Sequence, residues 1–444
     1  MHIIPFIIIA TPIIASLFFR WNVKSVSLIS GFIEMALSTL LYFQMPFHGI
    51  FYVDFTEWIF LMMVSSIYTV SVFYSIYYMK DIESRGISEE MYFVLMNLFT
   101  ASMLFSLLMN NYGFMWVGIE ATTISSALLI IAEKNDISLE VAWRYIILVS
   151  AGVTFAFISI ILIYYNFHTL NVYDVIHSGS QGGLIIRVIV SIALVGFGTK
   201  TGVFPVHTWL PDAHSEAPSP VSAMFSGVLL PVALYAMYRV YQIDPFPALY
   251  VWFGIVSIAA ASIFLGYQRR YKRMFAYSTM ENMNFALIGL SIGGLGIIGA
   301  LLLLLSHSYG KAAAFFSSGN ILRATGSREI ENVTGLARSM PATGSSILLS
   351  SLAVTGTPPF GTFFGEFLIL LAILALHMYS QLVIILVFLF LAFVSVNFNV
   401  SRMVFGKGGG YTETDRVMST IALIASVIPL AIGIVFLVMV NEIL

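Results

Sequence analysis

Long apolar runs, repeated almost from end to end, constrain this chain more than any other feature. A hydrocarbon core about 30 Å thick needs roughly 20 apolar residues of helix to cross it. Taking runs of about 17–25 residues as spans gives fourteen candidates, near 3–19, 25–44, 58–79, 91–109, 112–132, 141–165, 184–204, 218–238, 246–266, 274–290, 296–320, 342–375, 380–401 and 417–440. Of the 444 residues, 59% are hydrophobic and 9% charged, against about 25% charged in an average soluble domain. The chain therefore reads as an all-α polytopic membrane protein, with the lipid bilayer as its surroundings. The first run, Met1 to Phe19, lacks the basic start and small-residue cleavage site of a signal peptide and reads as a span. A net charge of −2 offers no basic surface for nucleic acid. With no cysteine there are no disulfides, thiolate metal sites or iron–sulfur ligands, so if electrons drive this protein they run elsewhere.

Loop charge tests the span count, because a missed helix would scramble the alternation of basic loops. After the odd-numbered spans come Arg20 and Lys24; Lys80 and Arg85; Lys134 and Arg144; Arg269, Arg270, Lys272 and Arg273; Arg323, Arg328 and Arg338; and Arg402, Lys407 and Arg416. That is sixteen of the twenty Lys and Arg, against Arg187 and Arg239 on the other side. The odd-to-even loops are expected in the cytoplasm and both termini on the outer side of the cell membrane.

The remaining two cations, Lys200 and Lys311, lie within spans. Lys200 sits in Gly196-Phe197-Gly198-Thr199-Lys200-Thr201-Gly202-Val203-Phe204-Pro205, whose glycines and proline are expected to weaken the helix around it. A lysine near a helix end can also snorkel to the interface, but apolar sequence continues on both sides here. Glu120 falls in mid-span five, His307 and Lys311 share a face of span eleven four positions apart, and Glu366 follows the break Gly356-Thr357-Pro358-Pro359-Phe360-Gly361. Glu34, Glu281 and His377 read as less central. Facing lipid, Glu120, Lys200, Lys311 and Glu366 would together cost on the order of 10 kcal/mol, about a whole domain's net stability. They are expected to face one another or a hydrated interior, which makes a proton path with Lys311 as its pivot.

Other patterns carry less. Gly294-Leu295-Gly296-Ile297-Ile298-Gly299 fits the dinucleotide fingerprint but lies in a span, where it reads as helix packing. Gly406-Lys407-Gly408-Gly409-Gly410 lacks the Walker spacing and reads as a flexible connection. The sequons at Asn332 and Asn399 fall on the cytoplasmic side, where they would go unused. His207, Asp212, His214 and Glu216 could be metal ligands, but the neighbouring prolines and irregular spacing favour a rigid cap on the broken helix. No metal or cofactor is expected.

The series from Lys200 through Val203-Phe204-Pro205-Val206-His207-Thr208-Trp209-Leu210-Pro211-Asp212-Ala213-His214-Ser215-Glu216-Ala217-Pro218-Ser219-Pro220 resembles the hallmark of the antiporter-like subunits of respiratory complex I, Mrp sodium/proton antiporters and membrane-bound group 4 hydrogenases. The blocks Lys272 to Met283, His307-Ser308-Tyr309-Gly310-Lys311-Ala312, and Gly356 to Gly361 with Glu366-Phe367 agree, in order, over nearly the whole chain. The resemblance implies about fourteen transmembrane helices, with N-terminal helices over 1–90, two inverted five-helix repeats over 91–240 and 241–405, and a last helix over 406–444. Each repeat would contain a broken helix, spans seven and twelve, and the Gly/Pro breaks fall at corresponding places in the two. It further implies that Glu120 and Lys200 form a coupling pair, that Lys311 with His307 is a central relay, and that Glu366 stands at the far channel.

Two positions depart from the pattern. Pro231 stands where many relatives carry a lysine in span eight, so a hop would need water or Ser222 and Ser226, and Arg270 stands where relatives usually have an acid. The first departure and the Pro358-Pro359-Phe360-Gly361 break point toward the hydrogenase-4 component F type. The function implied is translocation of protons, or of sodium ions, by one membrane subunit of a multi-subunit redox complex, with no redox chemistry of its own. An Mrp-type exchanger and a non-pumping structural subunit are the alternatives.

Overall fold

A computed structural model of the chain describes residues 3–80, 86–133, 136–179, 182–407, 409–413 and 415–443. Met1, Arg85, Lys134, Gly408 and Leu444, which enter the readings above, lie outside the described residues.

The order of elements is α1 (Ile3–Leu17), α2 (Val23–Leu41), the strands β1 (Phe47–His48) and β2 (Tyr52–Val53), α3 (Phe55–Tyr78), α4 (Glu89–Leu108), α5 (Tyr112–Ile130), α6 (Asp136–Phe167), α7 (Val172–His177), α8 (Leu184–Thr201), α9 (Trp209–Glu216) and α10 (Ser219–Met224). A π turn (Phe225–Leu229) leads into α11 (Leu230–Tyr241), followed by α12 (Pro247–Gly266), α13 (Tyr271–Ile292), α14 (Leu295–Thr325), a 3-10 turn (Ile330–Asn332), α15 (Leu336–Ser339), α16 (Pro341–Val354), α17 (Gly361–Ala375), α18 (Tyr379–Phe405) and α19 (Arg416–Ile443). β1 and β2 form an antiparallel hairpin with Phe47 opposite Val53. Among the described residues, eleven helical stretches are long and apolar enough to cross a membrane, the stretch Ser219–Tyr241 counting as one. The apolar helices α16 and α17 have 14 and 15 residues. At 1.5 Å per residue each reaches only about 21–23 Å, so neither crosses the hydrocarbon alone.

Two compact units result. The first comprises Met1–Trp209, Glu216–Val221 and Val228–Tyr250, and the second Leu210–Ser215, Ser222–Gly227 and Val251–Leu444.

Within the first unit, short polar side chains start the helices by taking up amide hydrogens that have no partner inside the helix. The Asp54 carboxylate accepts from Glu57 N at 2.9 Å, Ser88 accepts from Met91 N, and Asn111 accepts from Gly113 N and Phe114 N. The expectation that glycines weaken the helix around Lys200 holds for Gly202 and needs correction for Gly196 and Gly198. α8 runs unbroken through Gly196 and Gly198 to Thr201. Gly196 lies against the Ala156 backbone of α6, and Gly152 of α6 lies against Thr199, so a Cβ at either glycine would collide with the other helix. These glycines are there for close approach. The helix ends at Gly202, whose φ of +84° suits a residue without a Cβ. Trp209 Nε1 then donates to the Thr199 carbonyl at 2.7 Å, satisfying one of the acceptors that every helix end exposes. The stretch expected to be a capping loop contains the helix α9.

In the second unit, α16 stops at Val354 and the chain resumes as α17 at Gly361. Backbone groups freed by the interruption find partners: the Val354 carbonyl accepts from Asn282 Nδ2 at 3.0 Å, the Ala353 carbonyl from the Thr362 hydroxyl, and Thr362 N donates to Ser306 Oγ at 3.0 Å. Such pairing is what permits non-helical backbone away from water. The run Gly294–Gly299 begins at the α13–α14 turn and continues as packing surface, with Gly296 against the Gly289 carbonyl and Gly299 against that of Gly365.

Pro231 has a local consequence. Proline has no N–H, so the carbonyl four residues earlier loses its helical donor. That carbonyl belongs to Gly227, inside the π turn, and it accepts from Ser308 Oγ at 2.6 Å instead.

Close packing at Gly196 gives a direct check. Gly196→Val should lower stability by about 1–3 kcal/mol through overpacking. Gly49→Ala, whose new methyl would meet nothing within 4 Å, should leave it unchanged. Thermal unfolding of the purified variants reads both.

Candidate functional site

Lys200 lies in the last turn of α8 and is fully buried. Its Nζ bonds to the Ile119 carbonyl at 3.0 Å and to Thr123 Oγ1 at 2.6 Å, both on α5. The pairing suits two protonation states. An ammonium donates to the hydroxyl, whereas a neutral amine can accept from it, and either form can donate to the carbonyl. Glu120 follows Ile119 in the chain and is half-buried, with Oε1 accepting from Ser150 of α6 at 2.6 Å and Oε2 buried without a partner. The Glu120 charge is near enough to act on Lys200, and the hydrogen bonds of each side chain go to other groups. α5 thus presents a carbonyl, a hydroxyl and a carboxylate within two turns of one helix, and α8 inserts a lysine against them.

The second unit repeats the theme with different parts. Lys311, in mid-α14 and fully buried, donates to the Phe275 carbonyl of α13 at 2.9 Å and lies 5.6 Å from the centre of that residue's ring. Six positions further along α13 is Glu281, buried to 3% exposure, with Oε2 accepting from Asn282 Nδ2 at 2.7 Å. Its charge acts on Lys311 and also on Glu366. Glu366, on α17, lies directly over Gly356, where a Cβ would collide with the carboxylate and where φ is +64°. That glycine therefore both makes the turn and leaves room for the acid. Asn282 ties the group together, since the same amide bonds Glu281 and the last carbonyl of α16.

His307 is fully buried and its ring nitrogens make no well-formed hydrogen bond to the protein, although the Ser226 backbone lies beside it. His214 is also buried, stacked on Phe315 with ring centres 4.9 Å apart, and neither of its nitrogens has a protein partner. Thr357 Oγ1 and Asn282 Oδ1 are in the same position. Buried polar atoms without protein partners mark places where water completes the bonding. Ser226 pairs with Thr279 at 2.5 Å and Ser222 donates to the His214 carbonyl at 3.0 Å, so both serines weighed as relays are engaged locally.

The site residues Glu120 and Lys200 are neighbours in one unit, while Lys311, His307 and Glu366 lie in the other. Glu281, read from sequence as less central, is the acid coupled to both Lys311 and Glu366. The signal was its place at the middle of its own apolar run, and Glu34 sits likewise. His377, at a φ of +57° just beyond α17, is outside this constellation. Among the described residues no group of three or more His, Cys, Asp or Glu is gathered to hold a metal ion.

The sequence model of the family described as NADH:quinone oxidoreductase/Mrp antiporter, TM, matches residues 109–394, a stretch that contains Glu120, Lys200, Glu281, His307, Lys311 and Glu366. The chain belongs to this family. It is 33% identical over 355 residues to a hydrogenase-4 component F homolog of Methylacidiphilum infernorum, covering 74% of each chain. It is 31% identical over 326 residues to hydrogenase-4 component B of Escherichia coli, covering 69% of this chain and 48% of that one. In fold it matches a chain of the membrane-bound sulfane sulfur reductase, an archaeal respiratory membrane complex, with a TM-score of 0.90 at 21% identity, over 99% of this chain and 96% of that one. A chain of the Mrp complex from Dietzia sp. matches with a TM-score of 0.90 at 18% identity, over 98% and 95%. The protein is an antiporter-like, multi-pass membrane subunit homologous to those of hydrogenase-4, complex I and Mrp complexes.

Asn282 offers a test of this packing. Asn282→Leu would leave the Val354 carbonyl and Glu281 without a donor, and a buried unsatisfied polar group costs about 1–3 kcal/mol. The purified variant should unfold at a correspondingly lower temperature, and an unchanged midpoint would show that Asn282 does not hold the break.

Proposed function

We propose that this subunit moves protons across a cytoplasmic membrane within a multi-subunit redox complex, using Glu120 and Lys200 in one unit and His307, Lys311, Glu281 and Glu366 in the other. The observation that carries this reading is the way each lysine is held. Both are buried among neutral oxygens and feel a nearby carboxylate they do not contact. Burial disfavours a charged lysine and a carboxylate favours it, so a change in their separation puts a proton on or takes one off. At an effective dielectric near 20, moving two charges from about 7 to about 12 Å apart changes their interaction by roughly 1 kcal/mol, from about 2.4 to about 1.4.

The architecture that goes with this function has fourteen crossings, both termini on the outer side, and two inverted five-helix repeats over 91–240 and 241–405. The loop charges support the orientation, and the interruptions after Thr201 and Val354, three spans into each repeat, support the pairing. The redox setting rests on relatives named for hydrogenase-4 and on the fold of a respiratory membrane complex. Because the fold matches an Mrp complex equally well, exchange of sodium for protons without a redox partner is the second reading.

Membrane vesicles containing the whole complex separate these. With Lys200→Ala or Glu120→Gln, the complex should assemble and pass electrons, while fewer protons move per electron. Undiminished pumping at normal electron flux in both variants would rule the switch out. A proton flux driven by an imposed sodium gradient, with no electron donor, would favour the exchanger.

A further inference from the structure

The first unit holds a buried acid that the relay above does not use. Glu34, on α2, is fully buried, and among the described residues no cation is found beside it. α1 has no ionisable residue among Ile3–Leu17, and the facing groups on α3 and α4 are Tyr68 and Asn97. Lys24, on α2 itself, is ten positions away, roughly 15 Å along the helix, and is bonded to Glu89 of α4 at 2.6 Å. Glu34 Oε1 accepts from Ser30 at 2.7 Å, but Oε2 is buried without a partner. An isolated buried carboxylate is too costly to persist in that form, so the second oxygen must carry a proton or meet a cation.

The surroundings favour a proton. Tyr68 Oη lies beside Ser30, donates to Asn97 Oδ1 at 2.5 Å and reaches the Ser27 carbonyl at 3.4 Å, so the polar groups form a hydroxyl and amide network. Asn97 Nδ2, a donor that no cation would accept as a ligand, is buried without a partner on the same side chain. From Tyr68, a polar face continues along α3 at helical spacing. Ser71 Oγ is buried and unpaired, Ser75 pairs with Tyr92 of α4 at 3.0 Å, and Tyr78 Oη donates at 2.8 Å to Glu133. Glu133 is only half-buried, at the turn between α5 and α6. Tyr68 and Tyr78 are ten residues apart, about 15 Å on a helix, and the unpaired oxygens of Ser27 and Ser71 are where water would close the gaps.

We propose that Glu34 is a proton-binding site separate from the Lys200 and Lys311 centres, loaded from the Glu133 end along the hydroxyl face of α3. Each hydroxyl passes on its own proton as it takes another, so one proton is delivered in total and only Glu34 changes charge. This inference stands apart from the proposed relay, because none of its residues belongs to it.

Infrared difference spectroscopy of the protein in lipid vesicles, during exchange from H2O to D2O, tests it. A protonated-carboxyl band should be lost in Glu34→Gln and displaced in Glu34→Asp, and in the unaltered protein it should shift on exchange. In Ser75→Ala and Tyr68→Phe the same band should remain but exchange about tenfold more slowly, equivalent to roughly 1.4 kcal/mol in rate. Lys200→Ala should leave the band and its exchange unchanged. The proposal is overturned if Glu34→Gln removes no band, if the band does not exchange, if both hydroxyl variants exchange at the original rate, or if adding sodium chloride abolishes the band.

Discussion

A buried ammonium must find oxygen that the protein supplies, and much of this structure follows from meeting that need twice. Lys200 takes a carbonyl and a hydroxyl from α5, and Lys311 takes a carbonyl from α13. For a side chain of fixed length to reach a main-chain carbonyl of another helix, the helices must lie close. Gly289 and Gly296 bring α13 and α14 nearly into touch, and glycine contacts likewise close α6 on α8 and α14 on α17. Small residues at helix contacts have this role in membranes, where lipid leaves no hydrophobic drive for helix association.

The two interruptions extend the same reasoning from side chains to backbone. A helix that stops away from water exposes carbonyls and amides that must be satisfied locally. After Thr201 the partner is the Trp209 indole, and after Val354 the partners are Asn282, Thr362 and Ser306. Asn282 bonds both the broken end of α16 and Glu281, so the geometry of the break and the position of an acid that acts on Lys311 and Glu366 are mechanically linked. A movement of the break would be felt electrostatically, which is what a coupling element requires.

Sequence reading reached the membrane class, the helical segments and the lysines because each leaves a signal in one dimension: apolar length, loop charge, or a cation inside an apolar run. It placed an interruption beside Lys200, where α8 ends at Gly202, but took Gly196 as weakening the helix, because glycine lowers helix propensity and serves close packing equally well, and only the neighbouring helix decides between them. Gly196 and Gly152 owe their identity to α6 and α8 meeting. The roles of Glu281 and Asn282 depend on which carbonyl ends nearby after the chain has passed through three more helices. Ser308 could not be read at all without knowing that Pro231 frees the Gly227 carbonyl. The central position of Glu34 and Glu281 in their own spans was visible, and the cost of burying an acid there was the argument that applied to Glu120.

On the function proposed above, Lys311 and Glu281 are retained for carrying charge and contribute little to holding the fold. Replacing a buried charge pair by neutral groups of similar volume is often neutral or stabilising, by up to about 1–4 kcal/mol, whereas a pair that holds a structure together is missed when it goes. The decisive measurement is the thermal unfolding midpoint of the purified protein carrying Lys311→Met together with Glu281→Gln. A charge-carrying role predicts an unchanged or raised midpoint, and a clearly lowered one would contradict that role.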